Sequence, residues 1–408
     1  MRAYRSFFAG VVVATLLACG SSSSRTGFNS DPKESADPTE GTDAGAGTTP
    51  PGSFGEADPA PVAVTLRGTV YTPNGELPLS NALVYVTRDQ PAEIPKGAYC
   101  DACVALPKGS FTSSEADGTF ELKAELSPGK VFLVTQKGQL RRVREIEISK
   151  AGVIAIDEEL TTLPGKSNPS AGDTSPRMLV VKDSTDFDKI DKSIDKLGLE
   201  DVTVRTNRSV LENADELLKY HIVFIPCGSS SDSRVTSSTV QENLRNFVRA
   251  GGKLYVTDWS YEFVRQPFPG FLSWVGETST IGSATGSEWD APATAVDEGL
   301  AAWLAASGDD QFTVEGNWTK INGIYTSPGV GPKGEPADIT PKIWVTGDYQ
   351  GTTYPTTVSF AEQCGQVLFS TYHTEDKFSQ GELHAQEKAL LYVLLDVGVC
   401  AGEGGTVH

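Results

Sequence analysis

The chain is 408 residues long, enough for two or three domains, and carries 53 acidic against 34 basic side chains, a formal net charge of -19. That excess excludes a phosphate-backbone binder, which needs a basic stripe, so no nucleic-acid partner is expected. Only 38 % of residues are hydrophobic, with the shortfall concentrated at the N-terminus, while 41 Gly, 24 Pro and 2 Met point to strands and turns.

Residues 1–18 read as a signal peptide. Arg2 and Arg5 precede an apolar run from Phe7 to Ala18 that is too short to span a bilayer as a stable helix. The run ends Leu16-Leu17-Ala18-Cys19-Gly20, which resembles the bacterial lipoprotein box. The resemblance implies lipidation of Cys19 and a lipid bilayer as partner. Gly20 stands where an acidic residue would hold such a lipoprotein at the inner membrane. The expected location is therefore the outer membrane or cell surface, with the periplasmic side as the alternative. Residues 19–60 are rich in Ser, Gly, Thr, Pro and Asp and cannot bury enough apolar surface to offset ordering entropy, so they read as a disordered acidic tether.

Residues 61–164 alternate with period two between turn signals. Val64 to Tyr71, Ala82 to Val86, Thr119 to Leu122 and Val131 to Val134 read as short strands of a β-sandwich. The order G-x-V, glycine turn, N-A-x-V-x-V, D-G-x-F-x-L, P-G turn resembles carboxypeptidase regulatory-like, prealbumin-type domains, which implies a stalk or adhesive module. Cys100 and Cys103 form a C-x-x-C in the loop after the Ala82 strand, and the expectation is a local disulfide.

Residues 165–176 read as a linker, residues 177–402 as an α/β domain and 403–408 as a tail. Apolar strands are expected at 177–181, 202–204, 221–226, 253–257 and 366–371. Helices are expected at 187–197, 210–218, 240–250 and 382–397, the third closed by Gly251-Gly252. The alternation implies an α/β fold built on a doubly wound parallel sheet of flavodoxin-like type, with functional groups at the carboxyl ends of strands. Because Cys364 precedes the last strand and the closing helix returns to that edge, Cys364 is expected to pair with Cys400, leaving Cys227 free.

Leu244 to Asp258 and Gly365 to Glu375 resemble class I glutamine amidotransferase-like domains. Active members carry a cysteine in a G-x-C-x-G elbow and a histidine and glutamate in F-H-P-E. Here the second motif is Tyr372-His373-Thr374-Glu375, so the resemblance implies His373 as base and Glu375 as its orienting carboxylate. The first is Thr257-Asp258-Trp259-Ser260-Tyr261, with no cysteine and no glycines, and the domain is degenerate at its nucleophile. Ser260 and Cys227 are the remaining nucleophile candidates. Asp258, Trp259, His373 and Glu375 are the candidate ligand-binding set, with Asp258 and His373 expected within hydrogen-bond reach. One histidine is a poor zinc set, so neither a metal nor a cofactor is expected.

All six tryptophans lie in the long insert from Trp259 to Cys364, with one helix expected at Asp297 to Ala306. They either line a cleft for a flat ligand or fill the insert's own core. Together these readings give a membrane-anchored envelope lipoprotein, a stalk carrying a non-catalytic binding head for an unknown envelope ligand or protein. The alternative is a hydrolase of an envelope amide or glycan using His373 with Cys227 or Ser260.

Overall fold

The computed structural model describes residues 60–100, 106, 109–185, 187–374 and 383–396. Residues 1–59, which hold the expected signal peptide, Cys19 and nearly all of the expected tether, together with Cys103, Glu375 and Cys400, lie outside the described residues. The segment Asp58–His408 is one compact unit. Among the described residues no helix is long and apolar enough to cross a membrane.

The N-terminal part folds as two small sheets. One is ordered Thr119–Leu126, Val62–Thr69, Gly152–Ala155. The other is ordered Phe111–Ser113, Leu83–Thr87, Gly129–Lys137, Leu140–Ile148, Asp173–Thr174. Alternation does what period two dictates: Val64 and Leu66 from the first sheet and Val84, Val86, Val131 and Leu133 from the second turn into one core. The segment expected as a linker is built into the structure, since Asp173 and Thr174 pair with Arg142 and Arg141 as an edge strand.

The C-terminal part is a nine-stranded sheet. Its parallel half runs Val202–Arg205, Met178–Val181, Ile222–Ile225, Lys253–Thr257, Gly365–Ser370. This 2-1-3-4-5 order is that of flavodoxin-like doubly wound sheets. Met178, Val180, Ile222, Phe224 and Leu368 pack on one face with Ile190 and Ile194. Leu179, Val181, Val223, Ile225 and Phe369 pack on the other with Val240, Leu244 and Phe247 of the helix Ser238–Arg249. Both faces are covered, which is why these strands are apolar without alternation. Ser237 caps that helix by accepting from Val240 N, and Gly251 ends it at φ 101°, as the Gly-Gly pair predicts.

Two expectations are corrected here. The sheet is mixed rather than parallel, because the insert adds four antiparallel strands beyond Gly365–Ser370, in the order Thr352–Glu362, Lys342–Tyr349, Trp289–Ala295, Phe312–Asn317. The helix expected at 210–218 is broken: Asn213 is extended and caps the short helix Ala214–Leu217, leaving a 3-10 turn at Arg208–Glu212. The insert helix is present as Glu298–Ala306, capped by Asp297.

The two parts share one core, in which Val64 and Phe120 belong to the same cluster as Met178, Trp303 and Tyr392. Trp303 Nε1 donates to Pro78 O at 2.7 Å, and Ala98 N donates to Leu218 O at 3.0 Å. The loop carrying Cys100 crosses the Gly251-Gly252 corner so closely that a Cβ on Gly251 would strike the Tyr99 carbonyl oxygen. That crossing brings Cys100 to Cys364, and the two form a disulfide with a Cα separation of 4.9 Å. Neither Cys100–Cys103 nor Cys364–Cys400 pairing therefore holds. The local reading of Cys100 and Cys103, and the reading of Cys364 from the return of the closing helix, both left out the docking of one part on the other. The closing helix, Ala385–Asp396, does return to the amino edge, where Lys253 Nζ donates to Leu394 O at 3.3 Å, but Cys364 is already engaged.

Candidate functional site

Three strand ends and one insert loop build the site. Ile222–Ile225 ends in Pro226 and Cys227, Lys253–Thr257 ends in Asp258, and Gly365–Ser370 runs on to His373. These strands are hydrogen-bonded neighbours in register, so the three side chains converge. His373 Nε2 lies 3.1 Å from Asp258 Oδ2, and Cys227 Sγ donates to the same oxygen at 3.9 Å. The sulfur, the carboxylate oxygen and a ring nitrogen all lie within 4.8 Å of one another, and all three residues are buried.

Asp258 has φ 42°, in the left-handed region that a non-glycine residue enters at a cost of about 1–3 kcal/mol. A strained strand-to-helix turn thus exists at Asp258 even without flanking glycines, and its residue is a carboxylate. The surroundings hold it there. Thr319 N and Thr319 Oγ1 donate to Asp258 Oδ1 at 2.8 Å each, and Trp318 N donates at 3.2 Å. With Oδ1 saturated by the insert, Oδ2 is left facing Cys227 and His373. Burial pushes the Asp258 carboxyl above its ordinary range, opposed by its hydrogen bond to His373. Burial likewise pushes the Cys227 thiol up to about 11, with His373 opposing and the Asp258 charge reinforcing the rise.

Sequence reasoning missed a second carboxylate. Asp188 is fully buried; its Oδ2 accepts from Thr257 Oγ1 at 2.6 Å, and its Oδ1 accepts from Thr374 Oγ1 at 2.6 Å. Thr257 Oγ1 in turn accepts from Cys227 N at 2.7 Å, so Asp188 fixes the strand ends bearing all three site residues. Burial raises its carboxyl too, with the His373 charge opposing. No sequence signal marked Asp188, because its role depends on which strand ends the fold brings beside it. Gln386 of the closing helix donates to His373 O at 2.6 Å and pins that backbone.

Ser260 does not join the site. Its Oγ donates to Pro226 O at 2.7 Å and accepts from Arg208 at 2.9 Å. Arg208, itself buried, also meets Asp232 at 3.3 Å and Asp183 at 3.7 Å. Ser260 is thus part of an ionic brace beneath the elbow. Glu375 lies outside the described residues.

The tryptophans divide. Trp274, Trp289, Trp303 and Trp344 are buried in the core. Trp259 and Trp318 are half-buried beside the site, their ring centroids 5.2 Å apart, and Phe187 stands edge-on to Trp259 at 5.6 Å with 40 % of its surface exposed. These three rings form an aromatic ridge next to Asp258. A cavity of about 380 Å³ lies elsewhere, between the two parts, lined by residues including Pro95, Arg141, Arg177, Tyr220 and His221. It contains no residue of the Cys227, Asp258, His373 cluster.

No family model and no curated protein matches the chain. Among solved structures it is similar to a ThuA-like protein from Bacteroides uniformis, at 9 % identity and a TM-score of 0.35 over 54 % of this chain and 91 % of that one. It is also similar to a β-galactosidase from Rahnella sp. R3, at 14 % identity and a TM-score of 0.33, and to the GH42 β-galactosidase Gan42B, at 12 % and 0.30. These matches cover 55 % of this chain but only 32 % and 30 % of the two galactosidases.

Proposed function

We propose that the protein is a membrane-anchored cell-envelope lipoprotein whose α/β head binds a ligand without chemically changing it. The reading rests on the elbow. The strained position that presents a nucleophile in the amidotransferase-like pattern holds Asp258, with one oxygen locked by Thr319 and Trp318 and the other facing His373. A carboxylate there repels a developing acyl oxyanion instead of attacking the carbonyl. The neighbouring thiol does not replace it. Burial, reinforced by the Asp258 charge and opposed by His373, raises the Cys227 thiol above its ordinary range, which disfavours the thiolate that would be the nucleophile. The ridge of Phe187, Trp259 and Trp318 supports a ligand with a flat apolar face, such as a sugar ring. The Leu16 to Cys19 box supports the anchor.

The test pairs activity with binding. Purified protein should release no ammonia from glutamine or peptide amides. Soluble cell-wall oligosaccharides should perturb its tryptophan fluorescence, and Trp259→Ala should abolish that response. The hydrolase reading is favoured by one observation, the approach of Cys227, Asp258 and His373 within 4.8 Å. Amide or glycan hydrolysis that disappears in Cys227→Ala would establish it in place of the binding reading.

A further inference from the structure

Cys227, Asp258 and His373 offer three different donor types at one buried point. The Asp258–His373 and Asp258–Cys227 separations are 3.1 Å and 3.9 Å. Donors about 2.0–2.3 Å from a tetrahedral ion stand roughly 3.3–3.8 Å apart, so a divalent cation fits among these atoms with small side-chain shifts. We propose that this cluster is a transition-metal site of the zinc class, formed by Cys227 Sγ, Asp258 Oδ2 and the His373 imidazole. It was not foreseen in the sequence, because its ligands come from three different strand ends and only one of them is a histidine.

Three further observations carry the assignment. The first is charge. A thiolate and a carboxylate together neutralise a divalent ion, so the filled site is neutral in a region where each residue is no more than 2 % exposed. The second is orientation. Thr319 and Trp318 occupy Asp258 Oδ1 with three hydrogen bonds, which turns Oδ2 toward the other two donors. Outer hydrogen bonds of this kind aim the ligands of metal sites. Gln386 holds the His373 backbone, and Thr257, itself bonded to Asp188, holds the Cys227 backbone. The third is strain. The left-handed Asp258 is costly for packing alone, and such outliers cluster at ligand sites. Imidazole with thiolate suits zinc, and cobalt(II) is its spectroscopic substitute; magnesium and calcium prefer all-oxygen sets.

The experiment is titration of the whole mature protein, stripped with chelator, with Zn²⁺ and with Co²⁺. Uptake should be one ion per chain, and the cobalt form should show the near-ultraviolet thiolate charge-transfer band together with intense tetrahedral visible bands. Cys227→Ala and His373→Ala should each weaken binding by about 100-fold or more, beyond the 10–100-fold typical of losing an outer-shell partner. His221→Gln, remote from the cluster, should bind as wild type. The wild-type spectrum needs no variant to fold: bound cobalt without a thiolate band overturns the assignment. So does failure to take up either ion at one per chain, or equal affinity in wild type and Cys227→Ala. Metal uptake is read separately from amide hydrolysis and sugar binding, so failure to bind metal leaves the binding reading standing, and failure to bind sugar leaves the metal assignment standing.

Discussion

Replacing Cys364 with Ser should weaken the whole compact unit, because the disulfide it forms joins the N-terminal loop to the edge of the large sheet. The linked residues are 264 positions apart. In the chain-entropy model a loop of that length raises stability by about 5–6 kcal/mol as a ceiling, while native disulfides usually contribute about 2–4 kcal/mol. The native contact survives without the bond, since Ala98 N to Leu218 O, His221 Nε2 to Pro95 O and Trp303 Nε1 to Pro78 O hold the same interface. The variant should therefore fold and lose about 2–5 kcal/mol. Cys100→Ser should lose the same amount, and the double variant no more than either single one, because one bond is removed in every case. Urea midpoints under non-reducing conditions measure this, and non-reducing peptide mapping of the wild type identifies the linkage. A map joining Cys100 to Cys103, or a Cys364→Ser midpoint equal to that of wild type, would refute the reasoning.

Three other outcomes follow from the same structure. Asp258→Ala should cost about 2–4 kcal/mol in denaturant unfolding, because it keeps the strained φ and orphans the Thr319 and Trp318 donors, whereas Asp258→Asn should cost less. His221 accepts from Arg177 N through Nδ1 and lies at hydrogen-bond distance from Pro95 O through Nε2; burial holds its pKa below the usual value, helped by the Lys253 and Arg177 charges and opposed by the Pro95 hydrogen bond and the Asp201 charge. The unfolded chain then takes the proton first, so its contribution is full above pH ~6.5 and declines as pH falls toward the folded value, by at most about 1.4 kcal/mol per unit; the stability gap between wild type and His221→Gln should narrow from pH 7.5 to 5.5, and a flat gap refutes it. Cys19→Ser should release the protein from the membrane fraction and abolish the lipid mass increment, and unchanged partition would rule out the anchor.

Much of the fold was legible in the sequence because its strands are local, apolar and punctuated. Met178–Val181, Ile222–Ile225 and Lys253–Thr257 are largely apolar runs of the kind that both faces of a covered sheet demand, and Gly251 could end its helix because a left-handed residue was needed there. The approach of Asp258 to His373 also followed from sequence, since adjacent parallel strands must bring their carboxyl ends together. Tertiary structure alone decided the rest, for one physical reason: those contacts join residues far apart in the chain, whose pairing depends on docking rather than on periodicity. Asp188 meets Thr374 across 186 residues, Cys100 meets Cys364 across 264, and Ser260 turns to Arg208 instead of His373 because a buried guanidinium needs its oxygen. The insert's alternating strands carried no mark of which sheet they would join. Only their pairing against Gly365–Ser370 extends the sheet and sets Thr319 over the strand ends, where it aims Asp258 at Cys227 and His373.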